Sequence, residues 1–422
     1  MKTSLKISID SILTLFLISL AFFRVDFAGG NAPFLVTPQL IISLVVLVLF
    51  VLKKDILKIK LKRQSGNLVS GLLLILIYFF LSIVIGYSGI LQLKKMVLFT
   101  EIIISTIAFL YLFMESNNKS SIIRSWIKAT IIIQLIWLIV QLTLFFTNTH
   151  QSNTEAIELF NYINPFSSYV GHYLPRLNGG FLDPNVFSYY MSFIFFIGKY
   201  TKTIKPLESY FVILLVLLSF SRSGIASFLL VYVMSWFLNG PKINIKNAFT
   251  KLRFFLLFVA LIFFVIYYFD LYERIYTALE VRFLKSSKST SIHTEILIYG
   301  FFNAFESLKT TLFGHGFMSA PFYIYETFQE IGSQWKHINF HSDYATMIFE
   351  TGVLGFALYY FTIGQLINNR KIKVLSLCVF ALIMLQGIFY QQFNFHYFWV
   401  VIAITIQMTE TKTVLIRSTI KP

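Results

Sequence analysis

The chain has 422 residues, of which 57% are hydrophobic and 13% charged, with 48 Phe, 23 Tyr and a formal net charge of +16. A soluble core cannot hide that much apolar surface, so the chain needs lipid as its solvent and reads as an all-α polytopic membrane protein. The basic excess falls mostly in short segments between apolar runs, where it is a topology signal and not a nucleic-acid surface. The one cysteine, Cys378, excludes disulfides and cysteine-rich metal sites.

Apolar runs lie near 8–28, 34–52, 66–86, 96–114, 122–147, 184–198, 205–220, 223–239, 253–269, 346–366, 374–389 and 392–409, which predicts about 12 transmembrane helices in a single integral membrane domain, 1–422. The first run follows Lys2 and Lys6 without a small-residue cleavage site and reads as a retained helix. The segment 53–63 carries Lys53, Lys54, Lys58, Lys60, Lys62 and Arg63 and is the strongest cytoplasmic anchor. With that anchor inside, every short inside loop is basic and both termini are cytoplasmic. Two outer segments, 148–183 and 270–345, are too long to be mere connectors and too poor in Ser, Gly and charge to be disordered, so both are expected to fold. Within the second, Ile292, Ile296, Tyr299 and Phe302 form one helical stripe over 292–306, which suits either an amphipathic helix on the outer leaflet or a helix packed on protein.

The stretch from Tyr210 to Leu238 contains a single charge, Arg222. Lys199, Lys202 and Lys205 precede it and Lys242, Lys246, Lys251 and Arg253 follow, so both flanks read as cytoplasmic and an even number of crossings lies between them. Two short helices, about 205–220 and 223–239, joined at Ser221-Arg222-Ser223, satisfy this. Each spans only ~25 Å at ~1.5 Å per residue, less than a ~30 Å hydrocarbon core, so the joint sits slightly sunken below the outer surface. An arginine at mid-bilayer costs about 2.5–3.5 kcal/mol even on the lenient insertion scale, which makes Arg222 a residue with a sheltered position and a task.

Polar chemistry gathers at the outer starts of three helices. One opens at Asp183-Pro184, an N-cap followed by proline, with Arg176 seven residues upstream; one opens just after Arg222; one opens just after His341-Ser342-Asp343. All three are expected to run from outside to inside. Their unpaired N–H groups and positive dipole ends then face one side and suit a shared anion, a diphosphate above all, alongside Arg176 and Arg222. Arginine fits phosphate because its planar fork donates two hydrogen bonds and keeps its charge.

Four motifs, Arg176-Leu-Asn-Gly-Gly-Phe181-Leu-Asp-Pro-Asn185, Ser221-Arg222-Ser223-Gly224, Gly314-His-Gly316-Phe and His341-Ser-Asp-Tyr followed by Glu350-Thr-Gly352-Val-Leu-Gly355, resemble the O-antigen polymerase and O-antigen ligase family. The resemblance covers 176–356. It implies a GT-C-like fold and a glycosyltransferase that takes glycans from an undecaprenyl-diphosphate carrier at the outer face of the bacterial cytoplasmic membrane, without nucleotide sugar, metal or other cofactor. By the same resemblance Arg176 and Arg222 neutralise the diphosphate and His341 takes the acceptor proton, with Asp343 or Glu350 orienting it. Asp183, Asn185, His293, Gly314 and Gly316 complete the expected substrate-binding set. His293, with Arg282 upstream, stands near the place where the family often carries a second loop arginine. The expected partners are undecaprenyl-diphosphate-linked oligosaccharides, membrane lipid, a chain-length regulator and a flippase, with no nucleic acid.

Blander assignments stand beside these. Asp183-Pro184-Asn185 and Gly314-His315-Gly316 also read as backbone devices, a helix start and a loop turn. Tyr173, Phe181, Tyr323, Tyr325 and Trp335 suit sugar stacking or an interfacial aromatic belt. His337 and His341 have the i, i+4 spacing of zinc ligands but lack a His-Glu-x-x-His segment. Polymerisation of lipid-linked repeat units into O-antigen, capsule or exopolysaccharide is the favoured activity, a ligase its sister reading, and a transporter or lipid-linked-oligosaccharide flippase the rival of another class, although no internal repeat of the transporter kind is visible.

The orientation is testable by thiol labelling of intact cells. With Cys378 replaced by serine, cysteines placed at 222 and 330 are expected to react with a membrane-impermeant reagent and one at 60 to remain protected. Labelling at 60 with protection at 330 reverses the topology.

Overall fold

The computed structural model describes residues 8–21, 37–53, 59–86, 90–146, 169–170, 174–175, 177–181, 183–238, 287–327, 340–368 and 373–418. The apolar run at 253–269, together with Arg176, His337, Tyr173 and Trp335, lies outside them. In chain order the helices are α1 (Ile9–Ser19), α2 (Pro38–Leu52), α3 (Arg63–Ile85), α4 (Ile90–Glu115), α5 (Lys119–Phe146), α6 (Pro184–Thr201), α7 (Pro206–Leu218), α8 (Arg222–Leu238), α9 (Ser287–Asn303), α10 (Leu308–Phe313), α11 (Ala320–Thr327), α12 (Asp343–Gly364), α13 (Val374–Phe389) and α14 (His396–Ser418). Before α6, a two-residue strand β1 (Tyr169–Val170) pairs antiparallel with β2 (Leu174–Pro175), Val170 opposite Leu174.

Local chemistry explains where the helices begin. The Thr37 and Asp183 side chains cap α2 and α6, and a proline follows each cap at the first helical position. Ser8, Ser307 and Ser342 cap α1, α10 and α12 in the same way. The N-terminus of α3 has no cap of its own, and the chain supplies one from far away in sequence. The Glu410 carboxylate of α14 accepts hydrogen bonds from the backbone N–H groups of Gln64 (3.0 Å) and Ser65 (3.3 Å) and from the Ser65 hydroxyl. A carboxylate there also meets the positive end of the helix dipole.

Contacts at the helix ends fix the direction of each helix. At one end Lys53 pairs with Glu115, Asn118 donates to Asp10 (2.8 Å), Lys373 reaches the Thr409 carbonyl and Glu410 caps α3. At the other, Gln134 donates to the Ala21 carbonyl (3.3 Å), Phe317 N–H donates to Ser82 (3.1 Å), Leu177 N–H donates to the Leu218 carbonyl (3.1 Å) and Ser342 donates to the Gly387 carbonyl (3.1 Å). Helices α1, α3, α5, α7 and α13 therefore run from the first end to the second, and α2, α4, α6, α8, α12 and α14 run back, the alternation expected of successive crossings.

The protein is helical and of membrane type: among the described residues, four helices, Arg63–Ile85, Gln92–Glu115, Lys119–Thr143 and Asp343–Gly364, are long and apolar enough to cross a bilayer. Large side chains on their outer surfaces, such as Ile77, Val84, Ile136 and Ile139, are exposed, as a lipid-facing wall requires. The inner wall is dominated by aromatics. Phe79, Phe99 and Phe317 stack with centroids 4.4–5.4 Å apart, and Phe393 closes against Phe99 and Phe317.

The 292–306 stripe is the packing face of α9 in part, Tyr299 lying against the same core as Ile296. Ile296 is buried, but Phe302 is 78% exposed, and the helix lies against α12, with Gly300 meeting the Phe340 ring. The closeness of Gly300 to Phe340, not the aromatic period, decides which side faces protein.

Replacing Glu410 with Gln removes the charge at the α3 N-terminus and sets an amide NH2 among its donors. Stability is expected to fall by about 1–3 kcal/mol. Thermal unfolding of the purified protein in lipid nanodiscs measures this, and an unchanged midpoint removes Glu410 from the set of contacts that hold the far end together.

Candidate functional site

At the N-terminus of α6, Asp183 takes an extended backbone and its carboxylate accepts from Asn185 N–H at 2.6 Å. Asn185 in turn accepts from the Ser221 hydroxyl (2.6 Å) through its side-chain carbonyl. Ser221 also accepts from Gly224 N–H at 3.0 Å, the cap that starts α8. One hydroxyl thus fastens the start of α6 to the start of α8. A second link follows one turn deeper, where the Tyr189 and Ser223 hydroxyls meet at 2.6 Å.

The joint between α7 and α8 is tight. Phe220 adopts a left-handed backbone with φ 47°, a conformation uncommon for a bulky residue, and the Ser219 hydroxyl accepts from Ser221 N–H (3.2 Å) to complete the turn. Arg222 is the first residue of α8 and is half-buried, the sheltered position expected for it.

The third helix start joins through aromatic rings. Tyr189 lies edge-on to Tyr390 with centroids 6.1 Å apart, and Tyr390 lies edge-on to His341 at 6.0 Å. Helix α13, whose end carries Tyr390, packs against α6, α8 and α12. His341 is half-buried and left-handed, φ 50°, directly ahead of the Ser342 cap. Asp343, the first residue of α12, is buried, and its carboxylate accepts from Gln392 N–H (2.8 Å) and from the Tyr359 hydroxyl (3.3 Å). The N-termini of α6, α8 and α12 are therefore assembled at one end of the bundle, with Asp183, Asn185, Arg222, His341 and Asp343 among their first residues.

A second assembly stands beside this one. Helix α12 is broken at Gly352, whose φ is 65° and ψ −173°. The break leaves the carbonyls of Phe349 and Glu350 without their helical donors, and the Gly314-His315-Gly316 loop supplies replacements: His315 N–H to Phe349 (2.8 Å) and Gly316 N–H to Glu350 (2.9 Å). Both glycines are required. Gly314, φ 76°, has the Glu350 backbone where a Cβ would sit, and Gly352 has the Leu312 backbone there. Tyr78 reaches the carbonyls of Leu312 (3.1 Å) and Thr351 (2.9 Å) from α3. The His315 ring stacks on Phe349 at 4.2 Å, and its Nε2 lies 3.0 Å from the Asn303 carbonyl. Gly314 and Gly316 thus act as backbone devices. The Glu350 carboxylate accepts from Ala320 N–H at 3.2 Å, at the start of α11, and lies in the field of Lys95 from α4.

His293 falls within α9, and Arg176 and Arg282 lie outside the described residues. Among the described residues no group of three or more His, Cys, Asp or Glu is placed to hold a metal ion. Two of the aromatics considered for sugar stacking belong to the core: Phe181 packs on Tyr190 (5.0 Å) and Tyr397 (6.2 Å), and Tyr323 packs on His315 (4.8 Å) and Phe349 (5.3 Å).

Several residues that build the site carry no signal in the sequence. Tyr189 and Tyr390 are apolar-run tyrosines like many others here, and only their meeting bridges the three helix starts. A partly buried pair, His396 Nε2 and Glu101 at 2.7 Å, joins residues far apart in the chain on α14 and α4. Ser221 was legible as the first residue of a Ser-Arg-Ser-Gly helix start.

Residues 209–360 match the family model described as O-antigen ligase (Wzy_C). The matched segment runs from α7 into α12 and holds Arg222, Gly314, Gly316, His341, Asp343 and Glu350. This supports the O-antigen polymerase and ligase family, a group of glycan-transferring membrane enzymes. No curated protein matches the chain.

Proposed function

We propose that this chain, tied by its segment 209–360 to the O-antigen ligase family, joins undecaprenyl-diphosphate-linked oligosaccharide repeat units into a cell-surface polysaccharide at the outer face of the bacterial cytoplasmic membrane. The observation that carries the reading is the gathering of the α6, α8 and α12 N-termini around Arg222 and His341. Each helix start contributes roughly half a unit of positive charge together with unpaired N–H groups. The α8 and α12 starts, whose caps are serines, and a guanidinium form a receptor for a diphosphate, with the α6 start beside them and Arg176 as a second cation of the outer segment.

In the reaction the bond between the anomeric carbon and the diphosphate oxygen breaks as an acceptor hydroxyl attacks that carbon. The leaving diphosphate gains negative charge, which Arg222, Arg176 and the helix starts stabilise. The acceptor hydroxyl loses its proton, and His341 is the base that receives it. Asp343 holds the bend after α13 through Gln392 N–H, which keeps Tyr390 beside the His341 ring. The chemistry needs neither metal nor nucleotide sugar. The same reading takes about 12 crossings in a GT-C-like arrangement with both termini cytoplasmic, supported by the alternating helix directions, and a chain-length regulator and a flippase as partners.

A ligase that moves finished glycan to another acceptor uses the same donor chemistry, and the description of the matched family favours it as the second reading. Deleting the gene separates the two. Loss of a polymerase leaves single repeats on the lipid carrier at the outer leaflet, whereas loss of a ligase leaves long polymer on the carrier. Single repeats confined to the inner leaflet, out of reach of external enzymes, identify a flippase and sink the glycosyltransferase reading.

The role of Arg222 is checked by substitution with membrane abundance held constant. Arg222→Ala is expected to lower turnover by about 10²–10³, the usual loss when one stabiliser of a developing anion is removed. Arg222→Lys keeps the charge but loses the fork and is expected to fall between the two. Wild-type turnover in Arg222→Ala rules the residue out of the reaction.

A further inference from the structure

Inside a lipid-embedded protein a buried polar atom has no bulk water to turn to, and leaving it without a partner is costly. Most of the atoms in that condition lie in one region, with others on Gln141, His396, Tyr397 and Thr405. Among the described residues they include Ser319 Oγ, Thr346 Oγ1, Glu350 Oε2, both amide atoms of Gln386, both amide atoms of Gln392, and Asn394 Oδ1. Five of these six side chains are almost completely buried. They belong to the turn after the Gly-His-Gly loop, the first two turns of α12, the end of α13 and the bend into α14.

Those pieces touch. Ala320 N–H donates to Glu350 Oε1 at 3.2 Å, the Asn394 amide lies 3.9 Å from the Met318 sulfur, Gln392 N–H donates to Asp343 at 2.8 Å and Ser342 donates to the Gly387 carbonyl at 3.1 Å. The belt therefore adjoins the His341 end of α12. The far end of the bundle is different. There Ser65, on the inward side of α3, donates to Glu410 and accepts from Gln407 at 2.7 Å. The belt side chains lack such partners, although Thr405 of α14 lacks one as well.

The chemistry of the belt is selective. Gln386 and Gln392 each present a donor and an acceptor side by side, the pair that a hydroxyl or two neighbouring hydroxyls satisfies. Ser319 and Thr346 can both give and take a hydrogen bond, and Glu350 accepts. Phe317 and Phe393, 5.9 Å apart, supply flat apolar faces next to them. A flat ring with polar groups around its edge and apolar C–H faces matches this set.

We propose that this belt seats the saccharide portion of the lipid-linked substrate, next to the helix starts that take its diphosphate. The inference rests on the diphosphate reading above and extends it to a second, separable contact.

The test uses full-length protein in lipid nanodiscs and two probes: undecaprenyl diphosphate, and the glycan-bearing carrier extracted from a strain lacking the gene. Wild type is expected to bind the glycan-bearing carrier about tenfold more tightly than the bare one. The double variant Gln392→Leu, Thr346→Val is expected to lose that advantage while its affinity for the bare carrier stays within about twofold. Its melting midpoint should equal or exceed that of wild type, because the changes remove unmet polar atoms without removing volume. Equal binding of both probes by wild type means the belt holds only water and overturns the proposal while leaving the diphosphate reading intact. Parallel loss for both probes, or a lowered melting midpoint, assigns these side chains a structural role and also overturns it. A wild-type protein that binds neither probe sinks both readings.

Discussion

Every backbone N–H and C=O buried away from water must find a partner inside the protein, and in a membrane protein that rule admits departures from the helix only where something else completes the bonding. Among the described residues, 219–221 and Gly352 are two such departures, and the partners are visible each time. In the first, serine hydroxyls do the work: Ser219 accepts from Ser221 N–H and Ser221 accepts from Gly224 N–H. In the second, the N–H groups of His315 and Gly316 take over the carbonyls of Phe349 and Glu350. Both repairs lie at the end of the bundle where α6, α8 and α12 begin. Irregular backbone and exposed helix starts therefore occur together because the same interruptions that need repair also create helix N-termini inside the protein.

The two ends are built on opposite electrostatic plans. At the far end, charges are consumed internally: Glu410 covers the α3 N-terminus, Lys53 holds Glu115 and Lys373 reaches the Thr409 carbonyl. At the near end the caps are Asp183, Ser221 and Ser342, so the dipole ends of α8 and α12 are not cancelled by a carboxylate in the manner of Glu410. Asp343 is the apparent exception. Its carboxylate is directed sideways to Gln392 N–H and Tyr359, where it fixes the bend after α13 instead of covering the helix end. A receptor for an anion needs positive potential left over after folding, and on the proposed reading the α8 and α12 starts supply it.

Features governed by local rules were legible in the sequence. Asp183-Pro184 announced a helix start because cap and proline act within one turn, and it appears as expected; Ser221-Arg222-Ser223 announced a joint because flanking lysines demanded a return, and the joint lies two residues earlier, at 219–221, with Arg222 already the first residue of α8. Features created by tertiary contact were not. The run 346–366 reads as one apolar segment, and nothing local distinguishes Gly352 from Gly355, yet only Gly352 is left-handed, because the Leu312 backbone presses against it. The stripe over 292–306 placed Ile296 and Tyr299 on the buried side but also Phe302, which is exposed; Gly300, with no side chain to count in an apolar pattern, meets Phe340 instead. Tyr390 illustrates the same limit at the site. It links Tyr189 and His341, and neither contact has any spacing signature.

On the proposed reading, the arrangement of the near end also constrains how a lipid-linked glycan lies. The α12 start sits between the two polar features: His341, on the side of Tyr390 and the α6 and α8 starts, and Thr346 and Glu350, on the side of the 317–320 turn. Asp343 connects them through Gln392, so displacement of the bend after α13 would disturb the ring beside His341 and the amide in the belt at once. A diphosphate held at the helix starts and a sugar held at the belt then place the bond between them close to His341. A proton acceptor is needed there, since the acceptor hydroxyl gives up its proton as it attacks the anomeric carbon, and His341, left-handed at φ 50° and edge-on to Tyr390, is an imidazole at these helix starts.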